Sequence, residues 1–348
     1  MGEKRVLFIA PSYMDIYKDV IEELNNQGYY VDYIETKDYK QDPYNKRGYK
    51  KLRRLLLVHE KRFFEWNKKR WENILSQEPY QGFYDLLFVI DGQAIHPVIV
   101  TILRQRNPAL KSFNYLFDTT TGIYQFDKNF FLFDKVYTFD LQESKKYNIL
   151  HLPIYWMSSK EEKDRKYYKV FALGRYNKNR YDLFNLVKDC IASEADTYIK
   201  LQVTRTNIIK NRIKELLSRF WGLSPVDVPT SFYKDEMVTY DSFSPDEFRS
   251  IINNSDTIID TSAPHQDGLT ARFMWALGAE KKIITSNPVV REYSFYSEEQ
   301  IFVIDSLQSV DKHSLVRFIN GEYKMDLKTR EEISKYHISN WIKTIFLS

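Results

Sequence analysis

The sequence predicts an α/β protein with two doubly wound, Rossmann-like domains that face a cleft. Short continuous apolar runs such as KRVLFIA (4–10) and YDLLFVI (84–90) are typical of parallel strands buried on both faces. Such runs alternate with helical segments in both halves of the chain, as expected for a doubly wound sheet. The chain has 348 residues, which is more than one ordinary compact core needs.

A polar segment, WMSSKEEKDRKY (156–167), separates the two predicted domains because it has no apolar periodicity. We therefore expect a first domain at 1–155 and a second at 168–326. The last segment, 327–348, has a helical pattern and is expected to pack back on the first domain.

The elements follow in order from apolar runs and capping signals. Gly28 ends the first helix, Pro97 opens another, and the capping box at 244–247 with Pro at the first helical position begins a third. Strands are expected at 4–10, 30–35, 84–90, 112–117 and 135–139, and then at 168–173, 198–203, 257–260, 282–285 and 301–304.

Composition excludes several classes of protein. The single cysteine, Cys190, excludes an intramolecular disulfide and a cysteine-rich zinc site, and a reducing cytoplasmic location is expected. The sequence contains no dinucleotide fingerprint, no Walker A motif and no Asp-x-Asp pair. We therefore expect neither a bound cofactor nor a metal.

The positive charge is concentrated at 46–70, where eleven Lys and Arg face only Glu60 and Glu65. That local balance of +9 leaves about −5 for the rest of the chain, whose total is +4. Apolar residues recur here at helical spacing, so this helix either rests on anionic lipid or packs on the core with a solvated charged face. A nucleic-acid groove is disfavoured because the remaining chain is acidic. The residues expected at a membrane or acceptor surface are Lys50, Lys51, Arg53 and Arg54.

The segment DTIIDTSAPHQDGLTARFMWALG (256–278) has the form of a strand, a loop and a helix. Gly268 allows close backbone approach, and N–H groups at a helix N-terminus attract phosphate. Thr270 can donate a hydroxyl and Arg272 a charged fork. The alternative is a plain helix start that Asp267 caps, with Arg272 in solvent.

The run GLTARFMWALGAEKKIITSN, with PHQ before it and REYSFY after it, resembles bacterial GT-B glycosyltransferases of capsule, exopolysaccharide and lipopolysaccharide assembly. ALGRYNKNRYDL (172–183) and FDKVYTFDLQESKKYNILHLPIY (133–155) also resemble that family. The resemblance implies a GT-B-like fold, an acceptor held by the first domain and a nucleotide-sugar donor held by the second. The donor-binding residues that it implies are Gly174, Arg175, His265, Gln266, Asp267, Gly268, Leu269, Thr270, Arg272 and Trp275.

Trp275 stands where retaining members of that family often carry an acidic residue that contacts ribose. An indole N–H only donates, so it cannot replace a carboxylate acceptor. The ring either stacks on a ligand or fills core between helix and sheet.

An inverting transfer also needs a base near the acceptor hydroxyl. Asp118 and Asp91 follow predicted strands and are the candidates, with Asp118 preferred. Asp118 could instead cap its loop at Thr120, and Asp91 could cap its loop at Gln93. His96 and His265 are further candidates for the base.

These observations predict a metal-independent glycosyltransferase that moves a sugar from a nucleotide-sugar donor to a surface polysaccharide or lipid-linked saccharide. The expected location is the cytoplasm, at the inner face of the membrane, with an anionic membrane surface as a further partner. Two other functions stay open: pyruvyl or glycerophosphate transfer on the same scaffold, and non-catalytic binding.

Overall fold

The computed structural model describes most of the chain. The described residues are 3–12, 15–36, 53–92, 95–120, 123, 130–160, 166–191, 196–204, 208–221, 228–262 and 266–347, without the side chains of 53–60, 208, 210 and 218–221.

The first sheet has six parallel strands in the order β2-β1-β3-β4-β5-β6. All five residues of β3 are buried, as the continuous apolar run predicts for a strand covered on both faces. The strands are β1 (Lys4–Ala10), β2 (Tyr29–Glu35), β3 (Leu86–Ile90), β4 (Lys111–Leu116), β5 (Lys135–Thr138) and β6 (Leu150–His151).

The second sheet also has six parallel strands, in the order β12-β11-β10-β7-β8-β9. Thr257 of β10 pairs with Val170 of β7 on one side and with Lys282 of β11 on the other, so β10 and β7 end side by side. The strands are β7 (Tyr168–Arg175), β8 (Thr197–Gln202), β9 (Val238–Thr239), β10 (Ser255–Asp260), β11 (Lys282–Thr285) and β12 (Ile301–Val303). The ten strands predicted from apolar runs are confirmed, and β6 and β9 are additional.

Helices join these strands, and the predicted capping box is confirmed: Ser244 accepts from the N–H of Glu247, whose carboxylate accepts from the N–H of Ser244. The helices are α1 (Ile16–Asn26), α2 (Arg53–Leu75), α3 (Val98–Arg106), α4 (Leu141–Tyr147), α5 (Lys178–Cys190), α6 (Ile208–Trp221), α7 (Pro245–Asn253), α8 (Ala271–Gly278), α9 (Lys312–Asn320), α10 (Leu327–Ser334) and α11 (Ile338–Leu347). No helix in these ranges is long and apolar enough to cross a membrane.

The segment after 326 contains two helices rather than one. Lys335 ends α10, and at the start of α11 the backbone N–H of Ser339 donates to His337 Nδ1 at 3.4 Å. A side chain that accepts from a backbone N–H in this way is typical of a helix start, so a second helix begins here.

Inter-residue contacts divide the chain into two compact units. Unit 1 comprises 1–154, 266–268 and 336–348, and unit 2 comprises 155–265 and 269–335. The boundaries inferred from sequence, with a linker at 156–167, remain a prediction.

The last helix, α11, supplies large side chains to the core of unit 1. Trp341 is fully buried, its ring centroid lies 4.6 Å from that of Tyr115, and its indole N–H donates to the Pro153 carbonyl at 3.1 Å. Phe346 packs edge-on against Phe88 of β3 at 5.5 Å. The aromatic rings of α11 therefore cover one face of the first sheet.

Candidate functional site

The carboxyl ends of β7 and β10 bring a cluster of polar residues together in unit 2. Ligands of open α/β sheets bind at this edge of the sheet. Asp260 is the last residue of β10 and is buried, while Gly174 and Arg175 end the neighbouring strand β7. We call the set Arg180, Asp260, Thr261 and Arg272 the guanidinium cluster.

Arg180 of α5 lies across the end of β7. Its Nε donates to the Thr261 hydroxyl, its Nη2 donates to the Thr261 carbonyl at 3.1 Å, and its Nη1 donates to the Arg175 carbonyl. A Cβ at position 174 would lie 2.9 Å from the Arg180 Cδ and Nε atoms. Gly174 therefore leaves the space through which the buried Arg180 side chain passes.

Arg272, in the first turn of α8, is the second cation of the cluster. Its Nη1 lies 3.5 Å from the Asp260 Oδ1, and its side chain is 17% exposed. The Nε and Nη1 groups have no hydrogen-bond acceptor in the part of the chain that the structure describes. Most of its donor capacity is therefore not used.

The charges of the cluster are unbalanced, because it contains two guanidinium groups and one carboxylate. The pKa of Arg180 is lowered to about 10, mainly by burial and also by the charge of Arg272, while the charge of Asp260 opposes this shift. The buried polar cluster thus has a net charge of about +1 and would be stabilised by an anion.

Thr270, at the start of α8, contacts the carboxylate of the cluster. Its hydroxyl donates to Asp260 at 2.7 Å and accepts from the Phe273 N–H at 3.1 Å, as an N-cap does. The Thr270 side chain therefore orients Asp260 and begins the helix. Leu269 beside it is buried.

Trp275 lies within α8 with its ring 4% exposed. The ring packs against Phe248 of α7 at 6.1 Å, and the Arg249 guanidinium lies 5.3 Å from its centroid. Its indole N–H has no acceptor among the described residues. Little of the ring surface is left for a ligand.

Residues 266–268 belong to unit 1, where the backbone N–H groups of Asp267 and Gly268 donate to Asp140 Oδ2, each at 3.0 Å. Asp140 is buried and also caps α4 through Oδ1. A Cβ at position 268 would lie 2.4 Å from the Phe139 ring, so only glycine fits there. In this structure a carboxylate accepts the hydrogen bonds for which the sequence predicts a phosphate. Gln266 is half-buried, and the Asp267 side chain is exposed.

In unit 1 the two candidate acids lie side by side. Asp91 is buried in a left-handed conformation (φ 60°), and its Oδ1 accepts from the N–H groups of Phe117 (2.6 Å) and Asp118 (3.1 Å). Asp118 itself is exposed, and its carboxylate accepts from the Thr119 N–H at 2.8 Å. Asp91 therefore fixes the backbone that presents Asp118.

The pKa of Asp91 is raised from 3.8 to about 7, mainly because burial disfavours its charged form; its two N–H donors oppose this, and the charge of Asp118 adds to it. A raised pKa means that the folded chain binds the proton more tightly, so stability falls as pH rises from about 4 to about 7.

The variant Asp91→Asn keeps an acceptor oxygen but has no carboxyl group to titrate. Urea unfolding at a series of pH values should show that the free energy of unfolding no longer declines by on the order of 2–4 kcal/mol over this pH range. Asp118→Asn, at an exposed position, should change the profile far less. Parallel profiles for Asp91→Asn and the wild type would contradict this assignment.

His96, the other described candidate for the base, is buried against Phe64, and its Nδ1 accepts from the Val98 N–H at 3.0 Å. Burial lowers its pKa to about 4, so the ring is neutral at pH 7. Several predicted site residues lie outside the described part of the chain: His265, Lys50, Lys51 and the side chains of Arg53 and Arg54.

Sequence reasoning missed Arg180 and Asp260. Asp260 was the end of a predicted strand, and Arg180 lies within the ALGRYNKNRYDL segment, six residues after Gly174. A glycine at a strand end, followed by an arginine one helical turn into the next element, is the signal that could have drawn attention to it. The described residues contain no group of three or more His, Cys, Asp or Glu arranged to hold a metal.

No protein-family model matches the chain, and no curated protein matches its sequence. Solved structures do match it over its whole length. The α,α-trehalose-phosphate synthase (UDP-forming) of Burkholderia xenovorans, in complex with glucose-6-phosphate, has a TM-score of 0.57 at 11% identity and covers 98% of both chains. The enzyme of the same name from Burkholderia vietnamiensis has a TM-score of 0.54 at 10% identity, with 98% of both chains covered.

A third match is the N-terminal domain of Candida albicans trehalose-6-phosphate phosphatase, with a TM-score of 0.51 at 10% identity, covering 99% of this chain and 96% of that one. At such identities these likenesses show the fold. The chain therefore has a GT-B-like α/β fold with two six-stranded parallel sheets, a fold that it shares with glycosyltransferases.

Proposed function

We propose that this chain is a glycosyltransferase that moves a sugar from a nucleotide-sugar donor to a saccharide acceptor. The observation that carries the proposal is the guanidinium cluster at the carboxyl ends of β7 and β10, in which Arg272 pairs with Asp260 and the charge of Asp260 also acts on Arg180. Departure of a nucleoside diphosphate develops negative charge, and preorganised cations stabilise such charge.

The fold supports this reaction class. Two of the matched structures are trehalose-phosphate synthases that form UDP. A donor site in unit 2 agrees with the general position of ligands at the carboxyl ends of parallel strands.

In the proposed reaction an acceptor hydroxyl attacks the anomeric carbon of the donor sugar, and the bond from that carbon to the diphosphate oxygen breaks. The hydroxyl proton passes to a carboxylate, for which we propose Asp118, because its side chain is exposed and Asp91 fixes its backbone. Arg272 and Arg180 then neutralise the departing diphosphate without a metal. Asp91 remains the second candidate for the base.

Further parts of the proposal come from the family that the sequence resembles. The acceptor is a surface polysaccharide or lipid-linked saccharide, bound by a first domain at 1–155, and the donor is bound by a second at 168–326. The proposed donor contacts also include Gly174, Arg175 and the loop from His265 to Leu269. The reaction is proposed to occur at the inner face of the cytoplasmic membrane.

Nucleotide binding should be visible as thermal stabilisation. At about 100 times its dissociation constant, the matching nucleotide should raise the melting temperature by on the order of 5 °C, because a ligand of the folded state alone stabilises it by mass action. The panel comprises UDP, GDP and CMP with their sugar derivatives, and each free nucleoside serves as the control without phosphate.

Stabilisation by a nucleotide sugar, followed by its hydrolysis or transfer, would agree with the proposal. No shift with any nucleotide would contradict it. Binding without turnover, in the wild type and in Asp118→Ala alike, would instead indicate a non-catalytic binding protein.

A further inference from the structure

Helix α6 of unit 2 exposes an apolar row to solvent. Ile209, Ile213, Leu216 and Leu217 are 73%, 53%, 51% and 39% exposed. Their spacing of four, three and one residues places them on one side of the helix. A helix of a globular protein normally turns such a row toward the core.

Two polar residues on the opposite side of α6 bond to the rest of unit 2. Glu215 accepts from the Thr230 hydroxyl at 2.6 Å and from the Thr230 N–H at 3.3 Å. Asn211, one turn earlier on the same side, forms a side-chain hydrogen bond with Tyr233. These bonds fix the rotation of α6 about its axis, so the exposure of the apolar row is built into the fold.

Cations border the apolar row. At 100° per residue, Arg212 lies on one flank of the row and Lys214 on the other, and both side chains are exposed. The only acidic residue in the sequence of α6 is Glu215, which is on the protein side. The outward surface therefore combines apolar area with positive charge.

We propose that α6 docks this chain on an anionic lipid membrane, with its axis parallel to the surface. The apolar row enters the boundary between headgroups and acyl chains, and Arg212 and Lys214 contact lipid phosphates. A second copy of the chain fits this face less well, because pairing two such faces would bring cations together with no exposed acid between them. The docking surface is separate from the basic stretch at 46–70 and does not depend on the proposed transferase activity.

Co-sedimentation of the full chain with vesicles tests this surface. Vesicles of phosphatidylcholine with phosphatidylglycerol should bind the wild type, and vesicles of phosphatidylcholine alone should bind it far more weakly. The double variant Arg212→Glu/Lys214→Glu should lower the partition coefficient by about twentyfold or more. The double variant Ile209→Ser/Ile213→Ser should lower it by about tenfold.

The matched control is Leu327→Ser, which removes another apolar side chain that is 73% exposed in unit 2 and should leave vesicle binding unchanged. All these positions are exposed, so thermal unfolding should show that each variant stays folded. Failure of the wild type to bind anionic vesicles would overturn the proposal, and so would binding by both double variants that equals that of the wild type. If the double variants lost self-association but kept their vesicle binding, the proposal would also be overturned, and the apolar row of α6 would be assigned to a protein partner.

Discussion

Replacing Arg272 with Ala is expected to lower the affinity for the nucleoside diphosphate by about 30–150-fold, while the affinity for the free nucleoside stays unchanged. One hydrogen bond to a charged group contributes about 1.5–3 kcal/mol, and a loss of about 2–3 kcal/mol corresponds to this fold-change. Arg272 can form such a bond because its Nε and Nη1 groups have no acceptor among the described residues. Isothermal titration calorimetry with UDP and uridine, and with GDP and guanosine, measures both affinities.

Two further variants separate charge from geometry. Arg272→Lys keeps a cation but not the planar fork, so about a tenfold loss of diphosphate affinity is expected. Arg291→Ala removes an exposed arginine that pairs with Asp305 elsewhere in unit 2, and it should bind like the wild type. Equal losses for nucleoside and diphosphate in Arg272→Ala would show that the variant disturbs the unit as a whole and not a phosphate contact.

The largest loss of stability is expected for Trp341→Ala, at about 3–5 kcal/mol, because truncating a buried tryptophan leaves a cavity. The side chain is fully buried, its ring contacts Tyr115 and its indole N–H reaches the Pro153 carbonyl. Denaturant unfolding followed by near-ultraviolet circular dichroism measures the change. Trp341→Phe keeps an aromatic ring and should lose about half as much or less.

Leu347 is the matched control on the same helix, since its side chain is 78% exposed. Leu347→Ala should change the free energy of unfolding by no more than about 0.5 kcal/mol. An equal cost for Leu347→Ala and Trp341→Ala would mean that α11 contributes through helix formation alone and not through the core.

Long apolar runs made the strands predictable. A parallel strand covered on both faces is apolar at nearly every position, as in LLFVI of β3, and that signal is local. The strands β6 and β9 have two residues each, too few for any pattern, and are defined only by their pairing with β5 and β8. The break between α10 and α11, where the Ser339 N–H donates to the ring of His337, has no sequence signature of its own.

The candidate site was partly predictable for the same reason. Thr270 and Arg272 are separated from the end of β10 by a single loop, so a local motif indicates them. Arg180 meets Thr261 across 81 residues of sequence, because β7 and β10 are neighbours in the sheet although β8 and β9 come between them along the chain. Such a contact depends on strand order, which no local pattern encodes.

The passage of Arg180 over Gly174 limits how this chain could be engineered. Any side chain at position 174 would displace the guanidinium, so a library that seeks a new donor preference gains nothing by randomising that residue. Arg175, the next residue, contributes only its carbonyl to Arg180 and carries an exposed side chain. Substitutions at position 175 would change the exposed edge of the guanidinium cluster without displacing its buried charged groups.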